Sequence, residues 1–274
     1  QSLPMWASSF KVLNIDPNGG ANTMIAHNLI SDIGSSFIIT NPTRAGYTFT
    51  GWTGTGTTYL SRRGFTGSGA NEVSFNGTSD YYDLGRTYMY TDRITVNLWA
   101  YMDNWSEYSS VNMRLISCTQ TGGWSFETSS NRIRFACYDS GKGYKSLISS
   151  MLWSDLAAGW HMFTLTFDGT NVRGYVDGVL QGAGKDFESG AIGYNATNSI
   201  LLGAEAGAGS TPAGNYFKGK IRDVTIVNAT LSTKDVAKLY NEGNVSGSDN
   251  AAVVRYYVPE ANTALKASWS ANAA

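Results

Sequence analysis

The chain has 274 residues, 42% of them hydrophobic, which suits one large or two modest domains with a real core. Only 15% are charged and the net charge is −1, so no basic field exists to hold a phosphate backbone and nucleic acid is not an expected partner. Thirty-one glycines, 16 tyrosines and 8 tryptophans against 5 prolines point to an all-β, turn-rich chain of extracellular type. There is no apolar run long enough to span a bilayer, and the sequence opens on Gln1 without a leader-like segment, as a mature or trimmed form would.

In chain order, "NIDPNGGANT" (Asn14 to Thr23) and "NPTRAGYTFTGWTGTG" (Asn41 to Gly56) read as turn-and-strand units, with Gly19 and Gly20 supplying a turn. "RITVNLWAYM" alternates, placing Ile94, Val96 and Leu98 on one face and Thr95, Asn97 and Trp99 on the other. Met113 to Cys118, Trp124 to Thr128 and Arg132 to Cys137 form a three-strand meander. Its outer strands carry the two cysteines, whose Cα atoms are then about 9–10 Å apart, two strand spacings. A disulfide needs less than about 7 Å, so two buried, free and inert thiols are expected. "HMFTLTFDGTNVRGYVDGVLQG" gives consecutive hairpins, with Phe163, Leu165 and Phe167 on one face and turns at Asp168-Gly169 and Asp177-Gly178. "SILLGAE" and "FKGKIRDVTIVN" are further strands, and "GAEAGAGSTPAGNYF" between them reads as a rim loop anchored by Tyr216. One helix follows: Ser232 caps it, Asp235 nearly completes a capping box, Val236, Leu239 and Tyr240 form the apolar stripe, and Gly243 closes it.

Four stretches carry a resemblance: "VSFNGTSDYYDLG" (Val73 to Gly85), "ITVNLWAYM" (Ile94 to Met102), "GWHMFTLTFDGTNVRGYVDG" (Gly159 to Gly178) and "FKGKIRDVTIVNATLSTKDVAKLYNEG" (Phe217 to Gly243). In this order they resemble a laminin G-like, concanavalin A-like lectin jelly roll covering residues 71–243. The resemblance implies a jelly-roll β-sandwich with one concave sheet, a role in binding carbohydrate or protein, and a structural Ca²⁺ held by Asp80 and Asp223, although Arg222 stands where the family has a further acid. The opening stretches resemble a Listeria–Bacteroides (internalin B-type) β-grasp repeat at residues 9–57, with Tyr47, Phe49 and Trp52 as core aromatics. The repeat's usual Ala-x-Trp ending is missing after Gly56 but stands at Ala267-Ser268-Trp269, so residues 252–271 are expected to complete it, with the jelly roll (66–246) inserted between the halves. The alternative is a separate C-terminal tail. "GTGTTYLSRRGFTGSG" and "NEGNVSGSDN" read as the junctions.

Catalytic patterns are sparse. No run of alternating carboxylates of the kind a glycosidase carries on a strand occurs; Asp186 and Glu188 are the only such spaced pair, in loop-like "GKDFESG". His161 reads as structural, His27 has no nucleophile motif near it, and there is no nucleophile elbow or phosphate loop. No catalytic residue is expected. Sugars offer apolar C–H faces and hydroxyls, so their sites pair rings with polar groups. Trp105, Tyr108, Trp124, Tyr138, Tyr144 and Trp153 lie in loops and turns and are the expected carbohydrate-binding residues. The function expected is a non-catalytic adhesion module for a glycan or cell-surface polysaccharide, on a bacterial surface or a phage tail or head fibre. The alternatives are a decoration or assembly protein without sugar affinity and a degenerate glycosidase.

Overall fold

The computed structural model describes residues 13–21, 25–27, 37–60, 72–241 and 254–273. Its strands are, in chain order, β1 (Leu13–Asp16), β2 (Ile25–His27), β3 (Phe37–Thr40), β4 (Tyr47–Leu60), β5 (Val73–Asn76), β6 (Tyr82–Asp83), β7 (Ile94–Met102), β8 (Arg114–Ser117), β9 (Trp124–Ser129) and β10 (Arg132–Asp139). There follow β11 (Gly143–Leu152), β12 (Gly159–Phe167), β13 (Asn171–Val176), β14 (Val179–Leu180), β15 (Lys185–Asp186), β16 (Leu201–Leu202), β17 (Glu205–Ala206), β18 (Pro212–Gly214) and β19 (Lys218–Val227), then helix α1 (Thr233–Asn241) and β20 (Val254–Ala271).

Two antiparallel sheets make the sandwich. One runs β11-β10-β9-β8-β16-β6; the other runs β14-β13-β12-β7-β19-β5, with β15 beside β13. Strict alternation on β7 explains the layering. Ile94, Val96 and Leu98 join Phe126, Phe135, Phe163 and Leu165 in the core between the sheets, while Trp99 points away, onto Leu231, Val236 and Leu239 around α1. Asp235 and Ser232 cap α1 reciprocally: the Asp235 N–H donates to Ser232 Oγ at 3.2 Å and the Ser232 N–H to Asp235 Oδ2 at 3.3 Å. Thr95 ties the approach to the helix down, accepting the Leu231 N–H at 3.0 Å and donating to the Ala229 carbonyl at 2.8 Å. Gly243 lies outside the described residues.

The turns follow residue chemistry. Asp177 and Gly178 have φ of 49° and 78°, two successive left-handed residues as a primed hairpin turn requires. Asp168 works differently: its Oδ1 accepts the N–H groups of Thr170 and Asn171 at 2.9 and 2.7 Å, so a carboxylate organises a longer turn. The expected rim loop over 203–217 is instead a small hairpin, β17 against β18, held to β8 by the Ala206 N–H donating to Ser117 Oγ at 2.7 Å. Its anchor is Phe217, fully buried, rather than the partly exposed Tyr216.

Cys118 and Cys137 are free and buried. Trp124 separates them: Cys137 is its ladder partner on one side, and the Cys118 N–H donates to its carbonyl on the other at 3.0 Å. Burial pushes the Cys118 thiol up to about 12, so it stays protonated at neutral pH.

A separate sheet joins the first four described strands to the last. β20 pairs in parallel with β1 and antiparallel with β3 and β4, and Phe37, Ile39 and Leu265 form its small core. Ala267 faces Trp52 and Trp269 faces Phe49 across the ladder. Residues 54–60 of the expected junction belong to β4 and pair with β20; most of both junctions lies outside the described residues. Two details differ from expectation. The left-handed turn pair is Asn18-Gly19 (φ 50° and 78°), while Gly20 leaves room for Trp269, whose ring would stand 2.5 Å from a Cβ there. Tyr47 is not core but 38% exposed, with the Arg44 guanidinium 3.9 Å above its ring.

Candidate functional site

The outer face of the six-stranded sheet carries the site. Period-2 alternation turns Trp124 and Phe126 of β9 and Ile133, Phe135 and Cys137 of β10 into the core. Ser125, Glu127, Arg134, Ala136 and Tyr138 therefore point outward. Register then sets Arg114 of β8, Glu127 of β9 and Arg134 of β10 side by side in one row. Arg114 Nε lies 2.7 Å from Glu127 Oε2, an ion contact without good hydrogen-bond alignment. Arg134 Nε lies 3.1 Å from Glu127 Oε1 and also donates to Ser146 Oγ at 3.1 Å. Ser125 Oγ donates to Glu127 Oε2 at 2.6 Å. The β17–β18 hairpin brings in a second carboxylate: Glu205 Oε1 is 3.2 Å from Arg114 Nη2 and 3.2 Å from Gln120 Nε2, and Asn215 Nδ2 donates to its other oxygen.

Between these groups lies a cavity of about 160 Å³, lined by Arg114, Thr119, Gln120, Glu127, Tyr144 and Glu205 among others. Its wall, the turn from Gln120 to Gly123, holds four successive residues at positive φ (83°, 55°, 151° and 69°). Thr121 is β-branched, so its left-handed backbone is strained. Neighbours over-determine that turn. Asn198 Nδ2 donates to the carbonyls of Thr119 and Gln120 at 2.9 and 3.3 Å. Tyr144 Oη accepts from the Gly122 N–H at 3.1 Å and donates to its carbonyl at 2.7 Å. The Tyr144 ring stays 40% exposed and meets Tyr138 edge-on at 5.0 Å. Thr119 is one of the lining residues, and its Oγ1 is buried with no hydrogen-bond partner among the described residues.

Four of the six expected sugar-binding rings are elsewhere. Trp105, Tyr108, Trp124 and Trp153 are at most 4% exposed. Trp105 and Trp153, from two 3-10 turns, stack at 5.5 Å and plug one end of the sandwich. Asn104 caps the first turn, and Trp105 Nε1 donates to the Gly159 carbonyl at 3.3 Å. Tyr108 Oη accepts the Lys218 N–H at 2.6 Å, and burial pushes that hydroxyl up to about 12. Trp124 Nε1 donates to Tyr194 Oη at 3.2 Å. Hydrophobic burial and these internal hydrogen bonds outweigh exposure, so these four rings offer no face to a sugar. Tyr138 and Tyr144 remain, and they are neighbours.

The expected calcium pair does not converge. β5 meets β19 with Asn76 opposite Lys218 and Val73 opposite Ile221. Asp80 lies past the Asn76 end and Asp223 past the other, at least five strand residues apart, roughly 16 Å. Asp80 Oδ2 instead accepts the Asn76 N–H at 2.9 Å and closes its own turn. Asp223 is buried within a ladder irregularity at φ 50°, and the Arg222 guanidinium stacks 4.3 Å from the Trp160 ring. These residues do not fit a shared ion, and among the described residues no three His, Cys, Asp or Glu side chains cluster as metal ligands.

Nor do the carboxylates read as a catalytic pair. Both oxygens of Glu127 are taken by Arg114, Arg134 and Ser125, leaving it poorly placed to attack carbon. Of the spaced pair, Asp186 accepts from Asn171 Nδ2 at 2.7 Å and Glu188 contacts Lys145 at 2.8 Å. His161 is structural: Nδ1 lies 2.6 Å from Asp177 Oδ2 and Nε2 2.9 Å from the Ala157 carbonyl. Asp139, fully buried, accepts the N–H groups of Glu188 and Ser189 at 2.8 and 3.1 Å.

A family model described as the concanavalin A-like lectin/glucanases superfamily matches residues 76–237. The chain belongs to this superfamily. A second model, a divergent InlB B-repeat domain, matches residues 13–70. No curated protein matches the sequence. Solved structures similar to this lectin-superfamily chain include one titled a receptor binding domain, at 15% identity and TM-score 0.50, covering 80% of this chain and 50% of that one. Another is the binding domain of Paraclostridial Mosquitocidal Protein 1, at 13% identity and TM-score 0.50, covering 80% and 52%. The chain thus spans about half the length of these structures, and at such identities the likeness is one of fold.

Proposed function

We propose that the chain is a non-catalytic binding module that takes a carbohydrate on the open face of the six-stranded sheet. The observation that carries this reading is a polar cavity beside the exposed Tyr144 ring, lined among others by Thr119, whose Oγ1 is buried without a hydrogen-bond partner among the described residues. A buried polar atom left unpaired is costly unless something completes it, and a ring beside convergent polar groups suits a sugar's mixed surface. The superfamily and the bacterial-type repeat support a setting outside the cell, on a bacterial surface or a virion. In this reading residues 66–246 are a lectin-type domain inserted into a β-grasp module made of residues 9–57 and 252–271, a division supported by the pairing of β20 with β1, β3 and β4.

The test is a glycan array probed with the full chain, followed by titration of the best glycan. Tyr144→Ala should weaken binding about tenfold or more, since one aromatic–sugar contact contributes on the order of 1 kcal/mol or more. Absence of binding to any glycan overturns the reading and favours a decoration or assembly role; turnover of a polysaccharide overturns its non-catalytic part.

A further inference from the structure

The geometry points to a ligand that is an uncharged, hydroxyl-bearing sugar ring, with sialylated, uronate-bearing or sulfated glycans rejected; this rests on the carbohydrate-binding reading above. The charge balance of the cavity carries the argument. Its charged lining is two guanidiniums and two carboxylates, summing to zero, and they are already matched. Arg114 spans both acids, 2.7 Å from Glu127 and 3.2 Å from Glu205. Arg134 sits 3.1 Å from Glu127.

An anionic sugar entering here would have to draw a guanidinium away from Glu127. The Glu127 side chain is only 4% exposed, so that carboxylate would be left desolvated, facing a second negative charge. Breaking a buried ion pair in this way costs more than the new pair returns. Neutral hydroxyls meet no such conflict. Glu205 retains acceptor capacity at its rim position, 14% exposed, the Gln120 amide is a donor on the exposed rim, and Thr119 Oγ1 can donate or accept. Size points the same way. A cavity of about 160 Å³ is small beside the ~300–1,000 Å³ of drug-sized sites, so one ring fills it.

The experiment compares neutral and acidic glycans on the same array with the full chain, then titrates hits at low and high salt. Neutral glycans should bind, with affinity changing less than about twofold between 0.05 and 0.5 M salt, because no net charge is screened. Thr119→Val, nearly isosteric, should weaken neutral binding about tenfold through one lost hydrogen bond. Glu127→Gln unpairs Arg134, leaves Arg114 only Glu205, gives the lining a net positive charge, and should gain salt-sensitive binding of acidic glycans that the parent chain lacks. If the parent chain prefers acidic glycans, or Thr119→Val leaves neutral binding unchanged, this inference falls while the binding reading stands. If nothing on the array binds, the binding reading itself falls. Melting temperatures of both variants separate lost recognition from lost fold.

Discussion

The two outer faces of the sandwich answer the same problem in opposite ways. The seven-stranded sheet turns Trp99, Met162 and Tyr175 outward and covers them with α1, whose Tyr240 stacks on Trp99 at 5.6 Å. The six-stranded sheet turns Arg114, Glu127 and Arg134 outward and pairs them beside a cavity, the arginines partly exposed and Glu127 held beneath them. An apolar face must be roofed, whereas a face of matched charges can stay exposed at low cost. The difference shows where this fold spends burial on stability and where it keeps polar groups available.

That contrast can be broken at several points. The largest effect belongs to neither face but to the plug they share: Trp105→Ala, in a fully packed stack with Trp153, should cost about 3–5 kcal/mol and lower the melting temperature by on the order of 10 °C. Next is the roof. Leu239→Ala on the buried side of α1 should cost about 2–4 kcal/mol by denaturant titration and leave sugar affinity unchanged. On the open face the pattern should invert: Ile148→Ser, at a half-exposed residue opposite Arg134, should stay within about 0.5 kcal/mol of the parent. A loss above about 2 kcal/mol there would show that this face is covered after all.

The subtlest effect is a pH dependence. Burial pushes the His161 imidazole down, but the Asp177 carboxylate and the Ala157 carbonyl more than offset it, and the net shift is upward. A group raised in the folded state contributes stability in full below its unfolded value of about 6.5 and loses it as pH rises through the folded value. The stability gap between the parent chain and His161→Gln should therefore be wider at pH 5.5 than at pH 8.5. An equal gap at both would show that the imidazole acts through packing alone.

Much of this architecture was legible in the residues. Alternation placed Ile94, Val96 and Leu98 against Trp99 correctly, and the Ser232–Asp235 pair marked the helix start. The site was harder to read. "WSFETS" and "RIRFACY" do place Ser125, Glu127 and Arg134 on outward positions by period 2, yet nothing local says that register aligns Glu127 with two arginines. Glu205 reaches Arg114 across 91 residues, through a hairpin whose sequence resembled a loop. The rings misled for a physical reason. Trp105 and Tyr108 sit among polar neighbours in "NWSEY", but a 3-10 turn capped by Asn104 swings both inward, and only tertiary packing reveals that.

The pairing of β20 with β1, β3 and β4 also bears on the order of events at the ribosome. Some 190 residues separate the end of β4 from the start of β20, so at ~5–20 residues per second the first strands wait roughly 10–40 s for their partner to be made. During that interval the sandwich can finish first, and the uncharged edge of β4 stands unzipped until translation delivers the strand that closes it.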